Sequence, residues 1–207
     1  MHQHRGIDMC RSQAHLLLTC FAILLMPASV LASLPILDTC AECHGTDGMG
    51  QGIPMVPVIA AIPAEHIEDA ILAYQDGARR CANIPRMCET VATLSDSEVT
   101  ELADYYAGKA RVSSDQEFDK RLATEGALVH QTLCATCHLS PDSEDLANAV
   151  GIPLHGQRLD YLRYAIKAYL GGDREVQFKA MADALGELRP GDIDALVNYY
   201  SSYRPVP

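Results

Sequence analysis

The feature that most constrains this chain is the five-residue motif C-x-x-C-H, which occurs twice. The first copy is Cys40-Ala-Glu-Cys43-His44, and the second, Cys134-Ala-Thr-Cys137-His138, starts 94 residues later. Residues around one copy are therefore expected to have counterparts around the other. Whatever chemistry the motif supports is expected twice in one polypeptide.

The repeat extends beyond the motifs. Met87 and Met181 are also 94 residues apart, and with a one-residue slip Arg79 matches Arg174. The pair Tyr105-Tyr106 recurs as Tyr199-Tyr200. A period this long indicates two tandem domains rather than a solenoid. We predict a signal peptide at residues 1–32 and domains at residues 33–110 and 111–207, joined by a short polar link that keeps them close together.

Both predicted domains have helical patterns, and no segment alternates as a strand would, so we expect an all-α fold. Ala64 to Asp76 predicts an amphipathic helix, and Ser95 to Glu98 forms a capping box that starts a helix ending near Ala107. We place the counterpart of that second helix between Pro190 and Tyr203, with the proline in its first turn. A further helix is predicted from Asp115 to Thr136, with these residues facing inward: Phe118, Leu122, Leu128 and Leu133.

The N-terminal residues have the pattern of an export signal. Arg5 and Arg11 precede an apolar run, Leu16 to Met26, that is too short to span a bilayer as a mature helix. Small residues follow, and we predict cleavage after Ala32. An uncleaved membrane anchor and a lipoprotein attached through Cys20 are the alternatives. The predicted location of the mature protein is the bacterial periplasm.

C-x-x-C-H is the attachment motif of a c-type haem. Its thiols form thioethers with the porphyrin vinyl groups, and its histidine supplies the proximal nitrogen ligand of the iron. A thioredoxin-like pair and half of a zinc site are the alternatives for C-x-x-C, but neither needs a histidine directly after the second cysteine in both copies. We predict two covalently bound haem c groups, attached through Cys40, Cys43, Cys134 and Cys137, with His44 and His138 as iron ligands.

The second axial ligand of each iron has to come from a distant part of its domain. Met87 and Met181 are the candidates, because both lie in the same register relative to the motifs and to the apolar positions Val99 and Ile193. A methionine beside a helix more often fills the core. The matching register in both copies is what favours ligation.

Cys40 to Gly48 reads C-x-x-C-H-G-x-x-G, which resembles class I cytochrome c. Pro57 to Ala61 and Ile152 to Gln157 resemble that family's Pro-x-Leu-x-Gly segment, and the resemblance implies that they pack on the proximal histidine side. Met87 to Asp96 is similar to the family's stretch from the ligand methionine into the last helix. Two such domains in one exported chain resemble cytochrome c4 and the dihaem subunit of flavocytochrome c sulfide dehydrogenase.

The second copy departs from this pattern, because His138 is followed by Leu139 rather than by glycine. We therefore expect the second haem loop to differ from the first. The departure touches none of the predicted ligands.

His/Met ligation leaves no open position on an iron, so the expected function is outer-sphere electron transfer. The protein would be a soluble carrier or the electron-accepting subunit of a dehydrogenase, such as a sulfide-oxidising flavocytochrome, and not an enzyme on its own. The alternative is a dihaem enzyme, thiosulfate dehydrogenase-like or peroxidase-like, with an unusual axial ligand. Cys88 keeps that alternative open, because its thiolate could replace the neighbouring Met87 thioether.

Cys81 and Cys88 lie outside the motifs and have no cysteine counterparts in the second domain. In an oxidising compartment a disulfide is their expected state, with free thiols and iron ligation as alternatives. Three further histidines are expected at the surface or in the core: His66, His130 and His155.

The chain carries a net charge of −11. This charge would repel nucleic acid and would steer a basic protein partner towards the molecule. We expect redox proteins as partners: a periplasmic dehydrogenase or flavoprotein, and a terminal oxidase or reductase. Peripheral association with a membrane complex is compatible with this expectation.

Overall fold

The computed structural model describes residues 35–81 and 84–205. This part of the chain has no strand, which confirms the all-α prediction, and none of its helices is long and apolar enough to cross a membrane. The predicted signal peptide at residues 1–32 lies outside the described residues. The helices are α1 (Pro35–His44), α2 (Ala64–Gln75), α3 (Pro85–Val91), α4 (Asp96–Ala107), α5 (Lys120–Leu133), α6 (Leu159–Leu170), α7 (Lys179–Gly186) and α8 (Asp192–Ser201), with short 3-10 turns at Gly50–Gly52 and Leu146–Asn148.

Helices α2 and α4 form where the sequence predicts them. The Ser95 hydroxyl accepts a hydrogen bond from the backbone N–H of Glu98, and the Glu98 carboxylate accepts one from the backbone N–H of Ser95 at 2.9 Å. This is the predicted capping box. Helix α2 buries Ile67, Ile71 and Tyr74 against the first-half core, as its amphipathic pattern indicates.

The buried apolar side chains gather in two clusters, one in each half of the chain. The first lies between α2, α3 and α4 and includes Val91, Leu102 and Tyr106. The second lies between α6 and α8 and includes Leu162 and Tyr200. The described residues nevertheless form one compact unit, so the domain boundary between residues 110 and 111 stays a prediction.

Helix α5 is shorter than the predicted segment from Asp115 to Thr136. The Asp119 carboxylate caps it, accepting hydrogen bonds from the backbone N–H groups of Arg121 and Leu122 at 2.8 and 3.0 Å. The last helical residue is Leu133. The second C-x-x-C-H motif therefore follows the helix in a series of turns instead of lying within it.

The face that α5 turns inward also differs from the prediction. Its buried residues are Ala123, Gly126 and His130, whereas Leu128 is 70% exposed. The prediction for Leu128 was wrong because α8 crosses α5 at very short range. A Cβ atom at Gly126 would overlap the carbonyl group of Ala195, so no side chain fits between the two helices at this position.

Helix α8 begins later than predicted. Its N-cap is Gly191, which has a left-handed φ of 94°. Pro190 therefore precedes the helix instead of occupying its first turn, which corrects the expected start. The left-handed N-cap conformation costs glycine little, because glycine has no Cβ to clash with the backbone.

The two halves meet along a seam in which equivalent residues face each other. Arg79 and its counterpart Arg174 form an isolated antiparallel bridge. Next to that pair, the N–H groups of Arg80 and Glu175 each donate to a carbonyl of the opposite half, at 2.8 and 2.9 Å. The seam thus resembles the self-complementary interface of a two-fold dimer within one chain.

Two buried polar side chains extend this seam. Gln157 accepts from the backbone N–H of Val58 and donates to the Val58 carbonyl, both at 2.7 Å. Arg111, in the predicted polar link, is only 8% exposed. Its guanidinium donates to the carbonyls of Ala60, Pro153 and His155 at 3.1, 2.8 and 2.9 Å, which bridges the Pro-x-Leu-x-Gly segments of the two halves.

Candidate haem-attachment sites

The first C-x-x-C-H motif forms the last turn of α1, and His44 is its final residue. The His44 Nδ1 atom donates a hydrogen bond to the Pro57 carbonyl at 3.2 Å. Gly48, with a φ of 73°, lies so close to Ala60 that a Cβ would approach the Ala60 nitrogen to 2.9 Å. The loop after the motif is thereby packed against the Pro-x-Leu-x-Gly segment, on the histidine side as predicted.

The second motif reaches the same arrangement by a different local route. The His138 Nδ1 atom donates to the Ile152 carbonyl at 2.9 Å. The Gly151 N–H donates to the Cys137 carbonyl at 3.1 Å, and a Cβ at Gly151 would come within 2.6 Å of the His138 ring. In the second copy, Gly151 at the far end of the loop leaves room for the His138 imidazole. In the first copy, the glycine comes directly after the histidine.

These hydrogen bonds determine which nitrogen of each imidazole is available. A carbonyl oxygen can only accept, so Nδ1 carries the proton and Nε2 keeps its lone pair. Burial lowers the pKa of His44 and of His138, so both rings are neutral at physiological pH. A neutral imidazole held through Nδ1 is the form in which histidine binds a metal through Nε2.

The four motif cysteines are unpaired and partly buried. Burial raises the pKa of Cys40 to about 11 and raises that of Cys134 above its ordinary value. These groups are therefore thiols at neutral pH. A thioredoxin-like pair requires the opposite, a thiol whose pKa is lowered, so the electrostatics argue against that alternative.

Met87 and Met181 occupy matching positions in the structure. Each is the third residue of a short helix, α3 or α7, and each is partly buried. Each donates its backbone N–H to the carbonyl three residues earlier, Ile84 or Phe178, at 3.1 and 3.0 Å. The register seen in the sequence therefore corresponds to the same local backbone in both halves.

Cys81 and Cys88 form a disulfide, with their Cα atoms 6.0 Å apart. This is the state that the sequence led us to expect. Because the Cys88 sulfur is bonded to Cys81, it is not free to serve as an iron ligand in place of the predicted Met87. The alternative of an enzyme with a thiolate ligand loses its structural support.

Two of the remaining histidines are core residues, as expected. His130 and His155 are buried side by side, with ring centroids 5.1 Å apart. Each shares a hydrogen bond with one member of the second tyrosine pair: His130 with the Tyr200 hydroxyl at 3.0 Å, and His155 with the Tyr199 hydroxyl at 3.2 Å. His66 is partly buried on α2.

The chain is similar in sequence to proteins that are named as cytochromes or electron acceptors. Cytochrome c-554(548) of Halomonas halodenitrificans is 37% identical over 73 residues, which are 35% of this chain and 87% of that protein. The thiosulfate dehydrogenase electron acceptor of Thiomonas intermedia is 32% identical over 162 residues, which are 72% of this chain and 70% of that protein. No protein-family model matches the chain.

Solved structures share the fold. Reduced cytochrome c4 from Pseudomonas stutzeri superposes with a TM-score of 0.65 at 23% identity, over 80% of this chain and 93% of that one. The chain belongs to the dihaem class I cytochromes c, of the cytochrome c4 type. Thiosulfate dehydrogenase (TsdBA) from Marichromatium purpuratum superposes on 80% of the cytochrome with a TM-score of 0.62 at 25% identity. The cytochrome spans only 36% of that longer chain.

The cytochrome is an electron-transfer protein with two covalently bound haem c groups and redox proteins as partners, as the sequence predicted. The residues present fit that cofactor. Each half offers two unpaired thiols and a neutral imidazole with a free Nε2. Three buried polar atoms also lack a hydrogen-bond partner within the described residues: the Tyr106 hydroxyl, Arg111 Nη2 and His155 Nδ1. Two of them, the Tyr106 hydroxyl and Arg111 Nη2, are hydrogen-bond donors that match the carboxylates that haem carries.

Sequence reasoning missed residues that hold the cytochrome together without touching a motif. Gly126 permits the α5–α8 crossing, and Gln157 and Arg111 connect the halves. The signal for Gln157 was its place in the Pro-x-Leu-x-Gly segment. Nothing in the sequence marked Arg111, because a single arginine in a polar link is ordinarily exposed.

Proposed function

We propose that Cys40 and Cys43 hold the first haem c, that Cys134 and Cys137 hold the second, and that His44 and His138 are the proximal ligands. Met87 and Met181 are the distal ligands. The observation that carries this assignment is the matched anchoring of the two imidazoles, each through Nδ1 to a carbonyl of the Pro-x-Leu-x-Gly segment. That anchoring leaves Nε2 of each ring as the ligand atom.

The bound haem supplies a one-electron Fe(III)/Fe(II) couple. The chain would supply His44, His138, Met87 and Met181 as iron ligands. It would also exclude water by burial and keep the two imidazoles neutral. Thioether ligation favours the ferrous state and raises the potential relative to bis-histidine ligation. With a histidine and a methionine on each iron, bound haem c would have no open position for a substrate and would serve outer-sphere electron transfer.

The ligand assignment is tested on the holoprotein by substitution of each methionine. The oxidised wild type should show the weak long-wavelength absorbance band of methionine sulfur on ferric haem, and the reduced wild type should take up no carbon monoxide. Met87→Ala and Met181→Ala should each remove about half of the band and admit one carbon monoxide per polypeptide. Met49→Leu, in the same half as Met87, is the control and should change neither reading. An unchanged spectrum in Met87→Ala or Met181→Ala would refute that ligand.

The electron donor we propose is a sulfur-oxidising dehydrogenase of the thiosulfate dehydrogenase type. The Thiomonas intermedia relative supports this choice, because it is named as the electron acceptor of such an enzyme. The net charge of −11 favours a donor with a basic docking surface. Mixing the oxidised cytochrome with a thiosulfate dehydrogenase and thiosulfate should reduce both haems, at a rate that falls as salt is added. No reduction above the enzyme-free rate would reject this partner.

The place of action is the periplasm, after removal of residues 1–32. The disulfide between Cys81 and Cys88 supports this location, because disulfides form and persist in oxidising compartments such as the periplasm. Expression of the full chain followed by fractionation should yield periplasmic protein that begins at Ser33 and carries two haem masses. Cytoplasmic or membrane-retained material with residues 1–32 intact would contradict this location.

A further inference from the structure

The Cys81–Cys88 disulfide occupies a special place relative to Met87. Cys88 is the residue directly after Met87 on α3, and Cys81 follows the seam residue Arg80. The disulfide therefore joins the helix that presents the methionine to the segment that binds the other half of the chain. Cys81, Met87 and Cys88 are all partly buried and pack against the first-half core.

The second half holds its methionine without such a bond. The position equivalent to Cys88 is Ala182, and α7 instead carries an ion pair between Lys179 and Asp183, one helical turn apart, at 2.7 Å. Both helices are short, with seven residues in α3 and eight in α7. A helix of this length has little stability of its own, so α3 depends on what ties it to the rest of the fold.

The Cys81 end of the disulfide is held in place by the seam between the two halves. The Arg80 N–H donates to the Asp173 carbonyl at 2.8 Å, and the Ala78 carbonyl accepts from Glu175 at 2.9 Å. The Cys81 backbone is therefore held by its neighbours before the disulfide is considered. Through the sulfur–sulfur bond, that restraint passes directly to the residue beside Met87.

We infer that the Cys81–Cys88 disulfide is a positioning element that keeps the Met87 thioether on the first iron, so that the state of this bond sets the ligation of the first haem alone. This inference rests on the proposed assignment of Met87 as a ligand. Cleavage by a phosphine consumes one water: the phosphine is oxidised to its oxide, the sulfur–sulfur bond takes up two electrons, and two protons complete the thiols. The freed α3 then releases Met87, while Met181 is unaffected.

The test uses the holoprotein in two forms that lack the bond. One is wild type treated with tris(2-carboxyethyl)phosphine and freed of the reagent, and the other is the double variant Cys81→Ser/Cys88→Ser. Both are fully reduced with dithionite and exposed to carbon monoxide, and mass spectrometry establishes the thiol state. Untreated wild type should bind no carbon monoxide. The phosphine-treated wild type and the double serine variant should each bind one carbon monoxide per polypeptide, and the reduction potential of only one of their two haems should be lowered.

The variant Met87→Ala, with the disulfide intact, distinguishes failure of the positioning inference from failure of the Met87 ligand assignment. If Met87→Ala binds one carbon monoxide and the cleaved wild type binds none, the positioning inference is overturned while the ligand assignment stands. If Met87→Ala itself binds none, the ligand assignment fails and the inference falls with it. Uptake at both haems after cleavage would also overturn the inference, because the effect would not be confined to the first half. The phosphine-treated wild type folds with its disulfide intact, so the test does not depend on folding of the serine variant.

Discussion

Arg79 and Arg174 are equivalent residues of the two halves, and they pair with each other in an antiparallel bridge across the seam. Equivalent residues meet in this way only where two similar units are related by a two-fold rotation. The tandem repeat is therefore organised like a dimer whose subunits are joined by a linker. Differences between the halves at the seam then show which side chains do most to hold it together.

Arg174 is expected to contribute more to stability than Arg79. Its guanidinium is buried and lies 5.4 to 5.7 Å from the ring centres of Tyr161, Tyr164 and Tyr169, whereas Arg79 lies over one ring, that of Tyr74, at 5.6 Å. We expect Arg174→Met to lower the free energy of unfolding by about 2 kcal/mol, because desolvated cation–π contacts and a hydrogen bond are lost.

The matched variant Arg79→Met should cost less than about 1 kcal/mol, because Arg79 is only partly buried and loses a single ring contact. Denaturant unfolding of both holoproteins compares the two costs. An equal decrease in the free energy of unfolding in both variants would show that the additional tyrosine contacts of Arg174 do not contribute to stability.

Gln157 is expected to be a main polar link between the halves. Its side chain satisfies both backbone groups of Val58, which is fully buried. Gln157→Leu would leave a buried N–H and a buried C=O unpaired, at a cost of roughly 2–4 kcal/mol. Gln131→Leu, at an exposed position on α5, is the control and should change stability by less than about 0.5 kcal/mol. A loss in Gln157→Leu no larger than in the control would rule out this role.

Gly126 is expected to be intolerant of any side chain. Alanine there would force α5 and α8 apart, because its Cβ would overlap the Ala195 carbonyl, and overpacking of this kind typically costs about 1–3 kcal/mol. Gly186, the last residue of α7, faces open space: apart from its chain neighbours and its own helix backbone, no atom of the described residues lies within 4 Å of an added Cβ. Gly186→Ala should be neutral or stabilising by up to about 1 kcal/mol. Thermal unfolding of both variants distinguishes them, and a stable Gly126→Ala protein would mean that the helices cross less closely than described.

The stability of the cytochrome should fall with acidification in a defined window. Burial, with the nearby charges of His130 and Arg111, lowers the pKa of His155 from 6.5 to about 4. Between these values the unfolded chain binds a proton that the folded chain does not, so the free energy of unfolding decreases as the pH is lowered from 6.5 to 4. The full effect is about 3 kcal/mol.

Comparison with His155→Gln isolates this contribution. Denaturant unfolding at pH 6.5 and at pH 4 should show a smaller decrease in the free energy of unfolding in His155→Gln than in wild type, whatever the absolute stabilities of the two proteins. The same decrease in both proteins would assign the acid sensitivity to other groups.

The sequence was sufficient for the parts of the fold that depend on local pattern. The two C-x-x-C-H motifs, the Ser95 capping box and the amphipathic face of α2 all follow from residues close together in the chain. The inward face of α5 did not, because α8 packs against the side of α5 that carries Gly126 and leaves Leu128 exposed. The hydrogen bonds of Gln157 to Val58 span 99 residues and depend on how the halves meet, which no local pattern records.

The proposed mechanism of electron transfer requires each iron to carry one histidine and one methionine from its own half of the chain. Proton NMR of the fully reduced holoprotein tests this ligation, because a methionine methyl group bound to ferrous haem is shifted far upfield by the ring current. We predict two such methyl signals, of which Met87→Ala removes one and Met181→Ala removes the other. A wild-type spectrum with fewer than two, or a variant spectrum that keeps both, would contradict the proposed ligation.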